Sequence, residues 1–134
     1  AVAEEIKRRL SAAALATAGD LADAVRTATR GHRTDKSAAA QVFQAIRIAV
    51  NDELRQVQEA LPVLSDLLAP DGRLAVITFH SLEDRPVKRY LKEQTSAGYE
   101  AELDMLTKKP IEGATYDVHN PRSRSAKLRV AVKK

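Results

Sequence analysis

The run Leu68-Ala69-Pro70-Asp71-Gly72-Arg73-Leu74-Ala75-Val76-Ile77-Thr78-Phe79-His80-Ser81-Leu82-Glu83-Asp84-Arg85 constrains the fold more than any other part of the chain. Pro70-Asp71-Gly72 spells a turn, because proline pre-sets φ and glycine accepts positive φ. Leu74 to Phe79 is almost wholly apolar, as expected of a strand covered on both faces in a parallel sheet. The strand ends in His80-Ser81, and Glu83, Asp84 and Arg85 fall in the first turn of a following helix. Open α/β sheets bind ligands at the carboxyl ends of their strands, so this polar cluster is a candidate site.

A chain of 134 residues makes one domain at most. Hydrophobic residues reach 44% but aromatics only 4%, so the core must be aliphatic and alanine-rich. With no cysteine, disulfides, thiolate catalysis and cysteine-based zinc sites are excluded. The apolar runs are strand-sized, too short for a membrane span. The alanine-rich start carries Glu4 and Glu5 before any basic residue and does not read as a signal peptide. A cytoplasmic setting is the default expectation. The net charge of +4 is modest. Its distribution is uneven: Arg122, Arg124, Lys127, Arg129, Lys133 and Lys134 follow Pro121 with no acid among them, and Lys108-Lys109 precede them. Such a tail suits a phosphate-rich partner or simply keeps the protein soluble.

Periodicity predicts a helix over Ala3–Ala18, stopped at Gly19, and a second one capped by Asp20 and ended at Gly31. Gly31–Lys36 reads as a polar linker. A long helix follows from Ser37, with Val42, Ile46, Val50, Leu54, Val57 and Leu61 on one buried face and a break at Asn51-Asp52. Pro62 should kink it or open a new segment. After the strand, Leu82–Gln94 reads as a helix with Leu82, Val87, Tyr90 and Leu91 inward, then a loop at Thr95–Gly98. A short strand is expected within Tyr99–Thr107, and irregular chain over Pro110–Pro121. Ser125–Val132 alternates, with Leu128, Val130 and Val132 on one face, and is a final strand.

Each polar candidate has a functional and a structural reading. His80 can orient a ligand or move a proton, or it can bond to nearby backbone at the strand end. Ser81 reads first as the N-cap of the next helix, with an acid at capping-box spacing, and Glu83 and Asp84 suit a helix amino terminus. Asp84-Arg85 and Lys88-Arg89 read as an exposed, salt-bridged face. Phe43 and Gln44 can stack on and hydrogen-bond a nucleobase, although Phe43 also suits a core, and Arg47 lies one turn on. Arg122, Ser123, Arg124 and Ser125 are the best RNA-contact candidates. His32 and His119 are isolated, no spacing suggests a metal, and none is expected. No Gly-x-Gly-x-x-Gly or Walker pattern is present.

Three ordered segments carry a resemblance: "VFQAIRIAVNDEL" (Val42 to Leu54), "LLAPDGRLAVITFHSLEDRPVKRYLKEQ" and "NPRSRSAKLRVA" (Asn120 to Ala131). Together they resemble the carboxyl-terminal half of the bacterial small-subunit rRNA cytosine-N4 methyltransferases. The resemblance implies an α/β chain holding part of a Rossmann-like (class I) methyltransferase sheet of about three strands, with an amino-terminal helical region. Residues 1–50 would be a helical substrate-recognition segment and residues 51–134 the carboxyl-terminal part of the sheet domain. It implies S-adenosylmethionine as cofactor of the complete enzyme and small-subunit rRNA as partner, with His80 and Ser81 lining the site. In the implied sheet the last strand runs antiparallel, so its start lies beside the end of the strand that leads to His80.

The family's amino-terminal half, with its Gly-rich cofactor loop, has no counterpart here, so the chain alone is expected to bind no cofactor. A His-Pro-Ala-Thr-Arg-like run of the family is replaced by Ser37, Ala38, Ala39, Ala40 and Gln41, and Asp71 replaces a glycine. The leading expectation is a piece or degenerate relative of such an enzyme. The alternatives are a non-catalytic RNA-binding or protein-interaction module and an engineered fragment. The strand Leu74–Phe79 would have a bare edge, filled by a homodimer or a partner chain.

Overall fold

The structure, a computed structural model, describes residues 1–29 and 35–134, with the side chains of 35–37 excepted. The chain divides into two compact units, Ala1–Asn51 and Asp52–Lys134. The expected stop at Gly31 and His32 lie outside the described residues.

The first unit is helical: α1 (Val2–Ser11), α2 (Ala18–Ala28) and α3 (Asp35–Asn51). Helix α1 ends well before the expected Ala18, because Ala13 turns into the left-handed region at φ 52°. Thr17, not Asp20, caps α2. The Thr17 hydroxyl accepts the Asp20 N–H at 3.2 Å and the Asp20 carboxylate accepts the Thr17 N–H at 2.7 Å, a capping box. Arg9 ties the two helices, donating to Glu5 at 2.8 Å and to the Thr27 hydroxyl at 3.0 Å. The expected continuous buried face of α3 is interrupted: Ile48 is buried, whereas Ile46 is partly exposed and Val50 strongly so.

The break after Asn51 is as expected. Asp52 adopts φ 53°, which an aspartate tolerates, and α4 (Glu53–Asp66) begins. Helix α4 continues through Pro62 without a new element. The chain then turns at 69–72. Asp71 takes φ 64°, and the Gly72 N–H bonds the Ala69 carbonyl at 2.8 Å. A Cβ on Gly72 would lie 2.7 Å from that carbonyl oxygen, so the turn closes only with glycine there.

Strand β1 (Arg73–Thr78) leads into α5 (Ser81–Ser96), one turn longer than predicted. A 3-10 turn at Gly98–Glu100 precedes β2 (Leu103–Met105). Then come β3 (Ile111–Glu112), the short α6 (Gly113–Tyr116) and β4 (Lys127–Lys133). Among the described residues the sheet has four strands, not about three, in the order β1-β4-β2 with β3 also on β4. Every pairing is antiparallel, and Thr78 faces Lys127, which sets the start of β4 beside the end of β1.

The core of this unit is aliphatic: Leu61, Leu74, Val87, Leu91, Leu103 and Ala131. It fills one side of the sheet only. Leu74, Val76 and Thr78 alternate toward it, while Ala75, Ile77 and Phe79 are exposed. The strand therefore lacks the cover on both faces that its composition predicts. Leu82 is likewise 42% exposed rather than inward. Among the described residues β1 pairs with β4 alone.

Candidate functional site

His80 follows β1 with extended backbone (φ −147°, ψ 161°) and is itself the N-cap of α5. Its Nδ1 accepts the Glu83 N–H at 3.3 Å, and Glu83 Oε2 accepts the Phe79 N–H at 3.0 Å. This is a capping-box variant built on imidazole. Ser81, expected as the cap, is the exposed first residue of the helix. A ring whose Nδ1 accepts carries its neutral-state proton on Nε2. That atom is buried and lies 2.9 Å from Glu83 Oε1, in a direction too oblique for a hydrogen bond.

Glu53, at the start of α4, brings a second carboxylate. Ligand atoms of Glu53, His80 and Glu83 lie within 4.8 Å of one another. The sequence spacing does not disclose this trio, since Glu53 arrives from a separate helix. For Nε2 to bind a metal the ring would have to surrender the Glu83 N–H and shift its proton, undoing the helix cap. The trio is therefore assigned no ion.

Asp84 overturns the reading of Asp84-Arg85 as an exposed pair. It is buried, and Arg129 of β4 clasps it through two bonds, Nε to Oδ1 at 2.7 Å and Nη2 to Oδ2 at 3.0 Å. Lys127 Nζ stands 4.0 Å from the same carboxylate. The Arg129 hydrogen bonds hold the Asp84 carboxyl below the ordinary aspartate range. Arg85, Lys88 and Arg89 are exposed as expected.

The basic tail is mostly neutralised locally. Besides Lys127 and Arg129 at Asp84, Lys133 bonds Glu102 at 2.6 Å and Lys134 stands 3.5 Å from Asp104. Among the described residues Arg122 and Arg124 alone of that stretch have no acidic partner. Both are exposed, on a loop from Gly113 to Ala126 that is braced by its own backbone. The Gly113 N–H bonds the Ala126 carbonyl at 2.9 Å, and Asp117, Asn120, Ser123 and Ala126 each donate to a carbonyl three or four residues back. Asn120 Oδ1 accepts the Arg122 N–H at 3.1 Å. The half-buried Ser123 hydroxyl lies 2.8 Å from the Asn120 carbonyl and 3.0 Å from that of Asp117, so it serves the loop. A Cβ on Gly113 would sit 2.0 Å from the Ser123 oxygen. Ser125 is exposed at the entry to β4.

The Thr78–Lys127 register thus brings Arg122–Ser125 and His80-Ser81 to one end of the sheet. Phe43, Gln44 and Arg47 belong to α3 in the first unit, where Phe43 is 37% exposed, Gln44 is half-buried and Arg47 is exposed. Sequence reasoning missed Glu53, Asp117, Asn120 and the Asp84–Arg129 clasp. Only Arg129 left a signal, as a charge inside an otherwise apolar strand.

The family model described as the MraW methylase family matches residues 1–134. The ribosomal RNA small subunit methyltransferase H of Heliobacterium mobile is 46% identical over 98% of this chain and 47% of its own length. That of Heliobacterium modesticaldum is 42% identical with the same coverage. The chain spans about half the length of these curated relatives. With the family model matched from end to end, the chain belongs to the MraW methylase family.

Proposed function

We propose that the chain is the RNA-side portion of a methyltransferase that transfers a methyl group from S-adenosylmethionine to the N4 amine of a cytosine in small-subunit rRNA. Membership of the family over the whole chain supports the reaction class. The single observation that carries the RNA role is the pair of exposed, acid-free guanidiniums, Arg122 and Arg124, at the end of the sheet where β1 delivers His80. In this reading Arg122, Arg124 and Ser125 meet phosphate and ribose, and Ser123 holds the loop in place. His80 and Ser81 form one wall of the site. Phe43, Gln44 and Arg47 contact RNA from the helical segment.

The described residues do not themselves fit S-adenosylmethionine. At the carboxyl end of β1 the carboxylates that would take an ammonium or a ribose diol are engaged, Glu83 with Phe79 and His80 and Asp84 with Arg129. No step through the cofactor is assigned to these residues. The chain is instead expected to work with strands added at the free edge of β1, from a further segment, a partner chain or a second copy. The exposed Ile77 and Phe79 beside that edge favour such cover. Sedimentation at micromolar concentration, with amide exchange along 73–78, tests this; a monodisperse monomer in which the β1 amides that do not bond β4 exchange freely contradicts it.

Filter binding to small-subunit rRNA across a salt series tests the RNA role. Binding that weakens linearly in log salt is expected, and the absence of binding at low salt overturns the proposal. The isolated chain is expected to show no methyl transfer. A second reading, an RNA-binding module without catalysis, is favoured by the Ser37-Ala38-Ala39-Ala40-Gln41 run, which offers a hydroxymethyl, a methyl and an amide where the related pattern carries imidazole, hydroxyl and guanidinium. Methyl transfer after addition of the amino-terminal half of a relative would exclude that reading.

A further inference from the structure

The braced loop carries an open surface cleft of about 340 Å³, lined by the exposed residues Ala114, Val118, Pro121, Asp117, Asn120 and Arg124. The volume is at the small end of ligand sites, roughly 300–1,000 Å³, and suits a planar ring. We propose that this cleft takes an unpaired guanine of the RNA partner. The inference rests on the RNA reading above and goes beyond it by naming a base.

The polar groups select the base. Among the described residues the Asp117 carboxylate and the Arg124 guanidinium carry no hydrogen bond or ion pair. Asn120 Oδ1 is occupied by the Arg122 N–H, so its amide is fixed to offer N–H donors. A carboxylate repels phosphate and accepts only, so this wall calls for a ligand face rich in donors. Guanine places two donors side by side, N1–H and the N2 amine, matching the two oxygens of Asp117. Adenine and cytosine set an amine beside an acceptor, and uracil has one N–H between two acceptors. The remaining guanine edge, O6 and N7, accepts from a guanidinium and an amide. Ala114, Val118 and Pro121 supply apolar contact to the ring. These edges are open only in unpaired RNA. Arg122, outside the cleft, stays on phosphate, while Arg124 meets phosphate in guanine-free RNA and turns to the base where a guanine is bound.

The bracing matters for affinity. The Asp117 N–H bonds the Gly113 carbonyl at 2.9 Å, its carbonyl accepts from Asn120 at 3.1 Å, and Ser123 binds the same loop. The backbone of the walls is set before RNA arrives, so the ordering cost of binding falls on the Asp117 and Arg124 side chains alone.

The test uses the full chain and short fluorescent single-stranded RNAs: all-uridine, or uridine with one central guanine, inosine or adenine. The guanine oligomer is expected to bind about tenfold tighter than the adenine oligomer, with inosine, which lacks the 2-amine, between them. Asp117→Asn should abolish the preference and tighten all-uridine binding, because a negative charge is lost while the backbone bonds remain. Ala114→Phe, which fills the cleft, should abolish the preference and leave all-uridine binding unchanged. Equal, salt-dependent affinity for all four oligomers overturns the guanine site and leaves the RNA reading standing. Failure of every oligomer to bind overturns both. A guanine preference that survives Asp117→Asn places recognition elsewhere and also overturns the proposal.

Discussion

The β1–α5 junction and the loop of residues 113–126 sit at the same end of one sheet and treat charge in opposite ways. At the junction nearly every ionised group is used internally: Asp84 holds Arg129, Glu83 holds Phe79 and faces His80. In the loop the backbone makes the internal bonds, and Asp117, Arg122 and Arg124 project unpaired. A buried charge pair fixes geometry because removing one partner strands the other. A loop braced through main-chain bonds can instead leave its charges for a partner. The contrast separates the residues that hold this end of the sheet from those that can act there.

The largest expected effect is at the clasp. Asp84→Ala leaves the Arg129 guanidinium buried without a counterion and should cost about 3–5 kcal/mol in urea unfolding. A loss below about 1 kcal/mol would show that water reaches Arg129 and that the junction is looser than the bonding implies. The same pair sets an acid limb. The folded-state carboxyl is depressed by Arg129, so its stabilisation is complete above the unfolded-state value of about 3.9. It is lost as pH falls through the lower folded-state value. Asp84→Asn should flatten that limb of the stability profile.

Next comes Gly113→Ala. Its Cβ would meet the Ser123 carbonyl at 2.0 Å, so the bracing must shift, at about 1–3 kcal/mol. Limited proteolysis within 113–126 should accelerate. An unchanged cleavage rate would mean that the loop is not held by this approach.

His80→Ala should cost about 1 kcal/mol through the lost helix cap, whereas Ser81→Ala should stay within about 0.5 kcal/mol. The reverse order in thermal melts would return the cap to Ser81. The smallest effect on stability belongs to the loop cations. Arg122→Ala with Arg124→Ala should leave the unfolding midpoint in place yet lower the RNA-binding salt slope by about 1.4, at roughly 0.7 per charge for single strands. An unchanged slope would make them solubility residues and dissolve the contrast between the two regions.

Much of the fold was legible from local signals. Pro70-Asp71-Gly72, the apolar run after it, the break at Asn51-Asp52 and the alternation of the last strand are short-range patterns, and each produced its element. Helix ends were less legible. Ala13 and the Thr17–Asp20 box cut α1 short, and His80 took the cap from Ser81 because an imidazole at extended φ and ψ reaches the Glu83 N–H as a hydroxyl would. Alternation in β4 marked a strand but not which face meets the core: Arg129 and Ala131 are buried while Leu128 and Val130 are half-exposed.

The sequence by itself determined most of the elements and the polar cluster after β1, because these depend on neighbours a few residues apart, but not β3 and α6, which form within the stretch Pro110–Pro121 expected to be irregular. Only the tertiary structure decided which charges are used up. Asp84 and Arg129 are 45 positions apart, and Lys133 meets a Glu102 that is 31 positions away. Pairs at such separations form through sheet register and helix packing, and no spacing along the chain encodes them. A run of six cations therefore reads as one basic surface in sequence and resolves into four paired residues and two free ones once β4 is docked between β1 and β2.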